Sequence, residues 1–493
     1  MPAHAKIALI DTGIRKDRLP ESAAIDPGRN YVFEDKDTTD VVGHGTRIAG
    51  IILNIAPDVT LVPLVYYSQY PSGVPANGGT KAICRAIYDA IDVYGCRIIN
   101  VSSGVAVEDE GLREAVAYAE EKGVIVISAV GNDRITAPER VFFPAAYGTV
   151  VGVGAVSEDL DAAPFSQVNG SVTVVAPGKD IEVISIRAGS GTETVSGTET
   201  VSGTSYASAF VAAEAALLVS AYPDITPAEF RQVLKVSSQD LGDPGYDETY
   251  GWGYVDAGSG SSLLAYDRML RVKALAFADV SVFDWFCDAV LDVHENGLMP
   301  GESPASFGPG RPVTLEMVAS VLYRLHTRYA PGDATGAAPD VASAPEVASG
   351  SDVASGSDVA SGPDVAYAPD LCLDWFTGTG IVGALGTPAS DLSHPAEAMA
   401  PVTREALCAV LIEYCRYAGI EVPEEPEGAD AFAGFTAFAD IGQASDWAVD
   451  YIAAAQDAGL VSGDGDGLFR PADVSSRAEL ATMISRLLGL LSR

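Results

Sequence analysis

The chain has 493 residues, 48% of them hydrophobic, with a mean hydropathy of +0.18; it is too long for one ordinary core and too apolar for a disordered chain, so two or three globular domains are expected. Acidic residues outnumber basic ones 67 to 30, a formal charge of -37, which argues against nucleic acid or anionic lipid as a partner and is compatible with bound cations. No stretch reaches the ~18 apolar residues of a membrane span, and the six cysteines form no CxxC pair, which argues against a zinc site and leaves the redox compartment open.

The N-terminus reads MPAHAKIALIDTG, and its apolar run covers only Ile7 to Ile10. That is a core strand leading into a motif, not a secretory signal. From there to about residue 265, short β-branched runs alternate with helical patterns. Strands are predicted over 6–11, 59–65, 97–102, 124–129 and 149–154, several of them apolar nearly throughout, as parallel strands covered on both faces are. Helices are predicted over 45–54, 80–94, 108–122, 205–222 and 226–237. The alternation predicts an α/β fold over residues 1–268: a doubly wound, mostly parallel sheet with its ligand site at the carboxyl ends of the strands.

Over 189–206 a unit of six residues repeats as GSGTET, VSGTET and VSGTSY. It lengthens the segment ahead of Ser205 and reads as a flexible polar loop. Residues 330–370 repeat SDVASG and close variants, a composition that buries too little apolar surface to fold, so a disordered acidic linker is expected. Around it, Asp-Trp pairs at 284, 374 and 446 are each followed by a segment like Thr-Arg-Glu. The Asp and the Leu315, Arg404 or Arg477 of that segment lie 31, 30 and 31 residues apart. This predicts an all-α module of three copies, over 274–329, 371–421 and 435–493.

Four polar residues sit where an α/β sheet assembles a site. Asp11 ends the first strand and precedes Thr-Gly; His44 stands in Gly-His-Gly-Thr and Ser205 in Gly-Thr-Ser-Tyr, both at helix starts; Asn132 follows the strand VIVISA. A serine hydroxyl becomes nucleophilic at neutral pH only when an imidazole accepts its proton, and the imidazole needs a carboxylate to fix its tautomer. The glycines at 43, 45 and 203 let backbone approach closely. The helix opening at Ser205 and the Asn132 amide suit a developing oxyanion. Residues 1–265 contain only His4 and His44, which makes His44 the expected base.

Taken together, IALIDTG, VGHGTRIAGI, INVSSG, ISAVGND, GTSYASAFVAA and YGWGYVDA resemble the subtilisin family over about 250 residues, in that family's order Asp…His…Ser. A sedolisin-like site is disfavoured, since that family has a glutamate where His44 stands. The resemblance implies a serine endopeptidase with triad Asp11, His44 and Ser205, and Asn132 in the oxyanion hole. It also implies an extended polypeptide substrate paired to Ser102, Ser103 and Gly104, no required cofactor or metal, and structural calcium as an option. Two departures stand out: Ala209 and Phe210 occupy positions where the family has proline and histidine. No propeptide or export signal precedes the first motif; a start further upstream would supply both.

The repeats resemble S-layer homology domains, most clearly in copy three: FADI from Phe438, AGLVSGDGDGLFRP, then SSRAEL. The resemblance implies binding to secondary cell-wall polysaccharide and an extracellular, wall-associated location. Arg404 and Arg477 match the arginine of the family's T-R-A-E motif, whose planar fork suits a carboxylate; copy one has Leu315 there. Trp285, Trp375 and Trp447 read as core residues of the helical module, with Trp447 also a candidate polymer contact. Asp464 and Asp466 read as a tight turn before a calcium site. Two other functions stay open at this level: an intracellular or dedicated processing peptidase, and a catalytically inactive wall-binding protein.

Overall fold

The computed structural model describes residues 5–186, 197–329, 369–385, 398–422, 438–464 and 466–491. The predicted linker, apart from its last two residues, and the first hexapeptide copy lie outside them. The chain divides into two compact units, Met1–Met269 and Leu270–Arg493.

The first unit is built on an eight-stranded sheet. Its strands are β1 (Lys6–Asp11), β2 (Ala24–Ile25), β3 (Arg29–Asn30), β4 (Thr60–Val65), β7 (Ile98–Val101), β8 (Ile125–Ala129), β9 (Val151–Val156) and β10 (Val174–Pro177), while β5 (Tyr67–Gln69) and β6 (Pro75–Asn77) form a separate hairpin. The order is β10-β9-β8-β7-β1-β4-β2, with β3 also on β4, and every pairing in this sheet is parallel. The continuous apolar runs follow from two-sided burial. Ile7 and Leu9 of β1 face α1 (His44–Ile55) and α4 (Thr204–Ala221), whereas Ala8 and Ile10 face α2 (Gly79–Asp92) and α3 (Glu110–Glu121). Each fully buried isoleucine contributes roughly 1.5–3 kcal/mol.

The helix α4 is the one described helix long and apolar enough to cross a membrane, yet 78% of it is buried in this unit. It is apolar all round because it runs through the core. Then come α5 (Pro227–Ser237), with Thr226 and Glu229 forming a reciprocal capping box, and α6 (Ser261–Leu275).

Several features differ from the sequence reading. The short strands β2, β3 and β10 and the β5–β6 hairpin carry too few residues to show a period, and α6 was not predicted. The described part of the second hexapeptide is not loop: β11 (Ile181–Ile184) and β12 (Thr198–Val201) pair antiparallel. They do so because Ile181, Ile184 and Val201 pack on the core.

The second unit is helical: α7 (Cys287–Glu295), α8 (Leu315–Tyr329), α9 (Pro369–Gly378), α10 (Arg404–Ala418), α11 (Val449–Asp457) and α12 (Arg477–Leu491) share one hydrophobic core. Short and long helices pair across the copies: α9 packs on α8, α11 on α10, and α7 on α12. Just ahead of the long helices, three backbone hydrogen bonds close a ring: Val313 N–H to Ser475 O (2.8 Å), Ser475 N–H to Val402 O (2.8 Å), and Val402 N–H to Val313 O (2.9 Å). Each copy is therefore completed by another.

Candidate active site

Adjacent strands β1, β7 and β8 deliver Asp11, the segment from Ser102, and the turn to Asn132 at their carboxyl ends. The strand order reverses between β1 and β7, the place where open α/β sheets bind ligands. Asp11 is buried, and its Oδ1 lies 2.7 Å from His44 Nδ1. The imidazole is the first residue of α1 and remains 29% exposed. The neighbours of the two tie them together: Gly45 N–H donates to the Thr12 hydroxyl at 2.9 Å, and a Cβ on Gly45 would come within 2.3 Å of Gly13 O. Only glycine allows the end of β1 and the start of α1 to approach this closely.

Asp40 was not singled out from the sequence, yet it organises this corner. It is buried, and its carboxylate accepts from Val42 N–H (3.0 Å), Gly43 N–H, Thr46 N–H (2.9 Å) and Thr46 Oγ (2.6 Å). It supplies the cap that Gly43, in left-handed conformation, has no side chain to provide. The usual sequence signal, a capping side chain directly before the helix, is missing because Gly43 stands there. Burial of the imidazole alone pushes its pKa down. The charge and hydrogen bond of Asp11 outweigh that, Asp40 adds to them, Arg47 opposes, and His44 ends above the ordinary histidine value.

Ser205 lies in the first turn of α4, and the Tyr206 ring beside it stands 5.5 Å from the His44 ring. The Ser205 hydroxyl donates to Ser102 O at 2.8 Å; among the described residues no hydrogen bond joins it to His44. Catalytic hydrogen bonds are often looser before substrate binds, and one rotation about the Cα–Cβ bond redirects this hydroxyl. Asn132 is exposed. Its Oδ1 accepts from Thr204 N–H (2.8 Å) and Thr204 Oγ (3.0 Å), so its amide nitrogen is left beside Gly203 at the helix start. The Ser205 N–H, in the first turn, has no carbonyl one turn back. Ser102, Ser103 and Gly104 lie just past β7, outside any strand. At Gly203 an added Cβ would come no closer than 3.5 Å to another atom, so no close backbone approach occurs there. Among the described residues no group of three or more acidic, histidine or cysteine side chains could hold a metal.

A model described as the subtilase family matches residues 3–253. The chain belongs to the subtilase family. Subtilisin DY of Bacillus licheniformis is 31% identical over 264 residues, which is 52% of this chain and 89% of that protein. The minor extracellular protease Epr of Bacillus subtilis (strain 168) is 32% identical over 263 residues, 51% of this chain and 37% of its own. A solved lanthipeptide protease is 28% identical, with a TM-score of 0.45, covering 54% of this chain and 87% of that one. Beyond the subtilase unit, the S-layer homology domain matches 276–316 and 437–481.

In the S-layer homology unit the two motif arginines have different surroundings. Arg404 Nε donates to Phe469 O at 2.6 Å, its guanidinium lies over the Phe469 ring and it pairs with Glu479. It lines a cavity of about 620 Å³ together with Trp285, Phe469, Arg470, Glu479 and Arg486. Arg477 donates to Phe307 O (3.0 Å) and Pro300 O (2.8 Å) and is buried, with 7% exposed. The aspartate of each FAD motif ties down the loop carrying that phenylalanine. Asp279 accepts from Phe307 N–H and Asp440 from Phe469 N–H, each at 2.8 Å. The core reading of the tryptophans fails for two of three: Trp285 is 68% and Trp447 45% exposed, and only Trp375 packs on the core. Trp285 reaches the Arg404 cavity because neighbouring copies build it jointly, which a single copy's pattern does not reveal. Asp464 forms the expected turn, accepting from Asp466 N–H and Leu468 N–H at 3.0 Å and pairing with Arg470.

Proposed function

We propose that the subtilase unit hydrolyses peptide bonds through an acyl-enzyme on Ser205. The observation that carries this reading is the 2.7 Å contact of Asp11 with His44 Nδ1, which leaves Nε2 as the free base. His44 Nε2 takes the Ser205 proton as Oγ attacks the carbonyl carbon. The oxyanion is held by the Asn132 amide and the Ser205 N–H. Collapse breaks the C–N bond, and His44 returns its proton to the leaving nitrogen. Water, deprotonated by the same imidazole, then attacks the ester carbon; the bond to Ser205 Oγ breaks, the acid leaves and His44 returns the proton to Oγ. The substrate is an extended polypeptide paired to Ser102–Gly104. This chemistry is acyl transfer coupled to proton transfer, involves no redox step and requires no cofactor. Fluorophosphonate labelling of the intact chain, absent in Ser205→Ala, is the expected result; equal labelling of that variant refutes the assignment.

We further propose that residues 274–329, 371–421 and 435–493 are three S-layer homology repeats that hold the peptidase at the bacterial surface, on an anionic secondary cell-wall polysaccharide. The middle copy is supported by its place in the Val313–Ser475–Val402 ring. The Arg404 cavity, with its two further arginines, is the favoured polymer site. Sedimentation with purified cell walls tests this, and retention of the Arg404→Ala chain at the wild-type level defeats it.

A further inference from the structure

Resting on the acyl-enzyme reading, the structure assigns a positioning role to Glu199, a residue of the repeated hexapeptide: through Arg47 and Tyr206 it sets where the His44 imidazole stands. Aligned on its own period, the fifth residue of the hexapeptide is Glu193, then Glu199, then Ser205 itself. The second copy thus carries a carboxylate at the place where the third carries the nucleophile. Glu199 lies on β12, paired with β11, and this hairpin lies across α1, the helix that begins with His44.

The face of α1 turned to the hairpin is Gly43, Arg47 and Gly50, spaced as neighbours along one helical stripe are. The two glycines take the isoleucines of the hairpin. A Cβ on Gly50 would fall 3.0 Å from Ile184 Cδ1, and one on Gly43 would run into the Ile186 side chain. Between them, Arg47 Nε donates to Glu199 Oε1 at 2.9 Å, and the two side chains are only 16% and 20% exposed. The same oxygen accepts from Ile186 N–H at 3.3 Å, while Arg15 donates to Ile186 O at 3.4 Å. A carboxylate held by a charged donor and a backbone donor in a mostly buried place has one position. The Arg47 guanidinium also reaches the Tyr206 hydroxyl as a donor. Tyr206 directly follows the nucleophile, is buried, and places its ring 5.5 Å from the His44 ring. Asp11 fixes the imidazole at Nδ1, and the Tyr206 ring limits how far it pivots about that contact. Without Glu199, the support of that ring loses its anchor, and the Arg47 charge stands without its carboxylate one turn from the imidazole.

The test uses the full chain and one extended peptide substrate, with active sites counted by fluorophosphonate labelling and kcat and KM followed across the acid limb. Glu199→Ala is expected to lower kcat about tenfold, less than the roughly 100-fold that a displacement of about 1 Å costs, with KM changing little. The charges facing His44 are Asp11 on β1, Asp40 ahead of α1 and Arg47 on α1; the Tyr206 phenol on α4, its pKa raised by burial, stays neutral. Taking the carboxylate from Arg47 should therefore move the acid limb of kcat/KM to lower pH, and Arg47→Ala should move it to higher pH. Glu199→Gln keeps the shape and an acceptor for Arg47, so it should move the limb in the same direction as Glu199→Ala at a smaller loss of kcat. When Glu199→Ala is combined with Arg47→Ala the two losses should not multiply, because one residue acts through the other. An unchanged kcat in labelled Glu199→Ala overturns the assignment, as does an unmoved limb in labelled Glu199→Gln or full multiplication in the double variant. Failure of the wild type to label at all instead removes the acyl-enzyme reading.

Discussion

The two units build their sites in opposite ways. In the subtilase unit, Asp11, His44, Asn132 and Ser205 are far apart in the chain, but each is placed by its own strand end or helix start, so every short motif carries both the chemical group and its position. In the S-layer homology unit, Arg404 of the second copy meets Phe469 and Glu479 of the third and shares a cavity with Trp285 of the first. There the motif supplies the group, and a different copy supplies its surroundings. Substitutions should therefore act locally and on rate in the first unit, but through neighbouring copies in the second.

The largest effect that would sharpen this contrast is Asp11→Asn. The amide keeps the shape of the corner but presents the wrong hydrogen-bonding pattern to His44. A fall in kcat of about 10⁴-fold is expected, the size known for the same change in a trypsin-type triad. Thermal unfolding of the same variant should move little by comparison. A kcat within tenfold of wild type would break the claim that the carboxylate fixes the tautomer.

Next in size is Asn132→Ala. Its oxygen is already committed to Thr204, so its amide protons are what the reaction loses. The expected drop is about 10²–10³-fold in kcat with little change in KM, a size taken from the loss of an oxyanion-hole asparagine in subtilisin, a member of the same family. A change confined to KM would mean that the side chain binds substrate without stabilising the oxyanion.

In the second unit the two motif arginines should separate. Removing Arg404 should weaken cell-wall binding by roughly 10–100-fold, the worth of a hydrogen bond to a charged group, and Trp285→Ala should weaken it in the same assay. Arg477→Ala should instead leave the Phe307 and Pro300 carbonyls without partners and lower stability by about 1–3 kcal/mol in thermal unfolding. If the buried Arg477 governs binding and Arg404 governs stability, the division of roles drawn from their surroundings is wrong.

The same contrast explains how much was legible in advance. The run Lys6–Asp11 alternates its faces between two helix layers, so it reads as a strand with no knowledge of the rest. The Gly-His-Gly motif was readable because Gly45 answers a backbone contact with Gly13. Asp40 escaped because a helix cap normally stands next to its helix and this one reaches over from four residues away. Trp285 and Trp447 were assigned to a core because large aromatics usually belong there; their exposure depends on packing between copies.

The smallest predicted effect is a displacement in pH, with no loss of maximal rate. His44 must be neutral to accept the serine proton, and its pKa lies above the ordinary value of about 6.5. Activity should therefore fall as pH drops through a point above 6.5. Stability runs the other way: because the folded pKa is raised, the His44–Asp11 attraction is fully present below about pH 6.5 and fades as pH rises through the folded value. The working form of the site is thus its less stable protonation state. Asp40→Asn removes one of the charges holding the imidazole protonated, so the acid limb of kcat/KM should move to lower pH while the plateau at high pH stays near wild type. Asp11 on β1 and Arg47 on α1 still face the ring, which keeps the shift partial. A limb that stays in place in this variant would assign Asp40 to capping α1 alone.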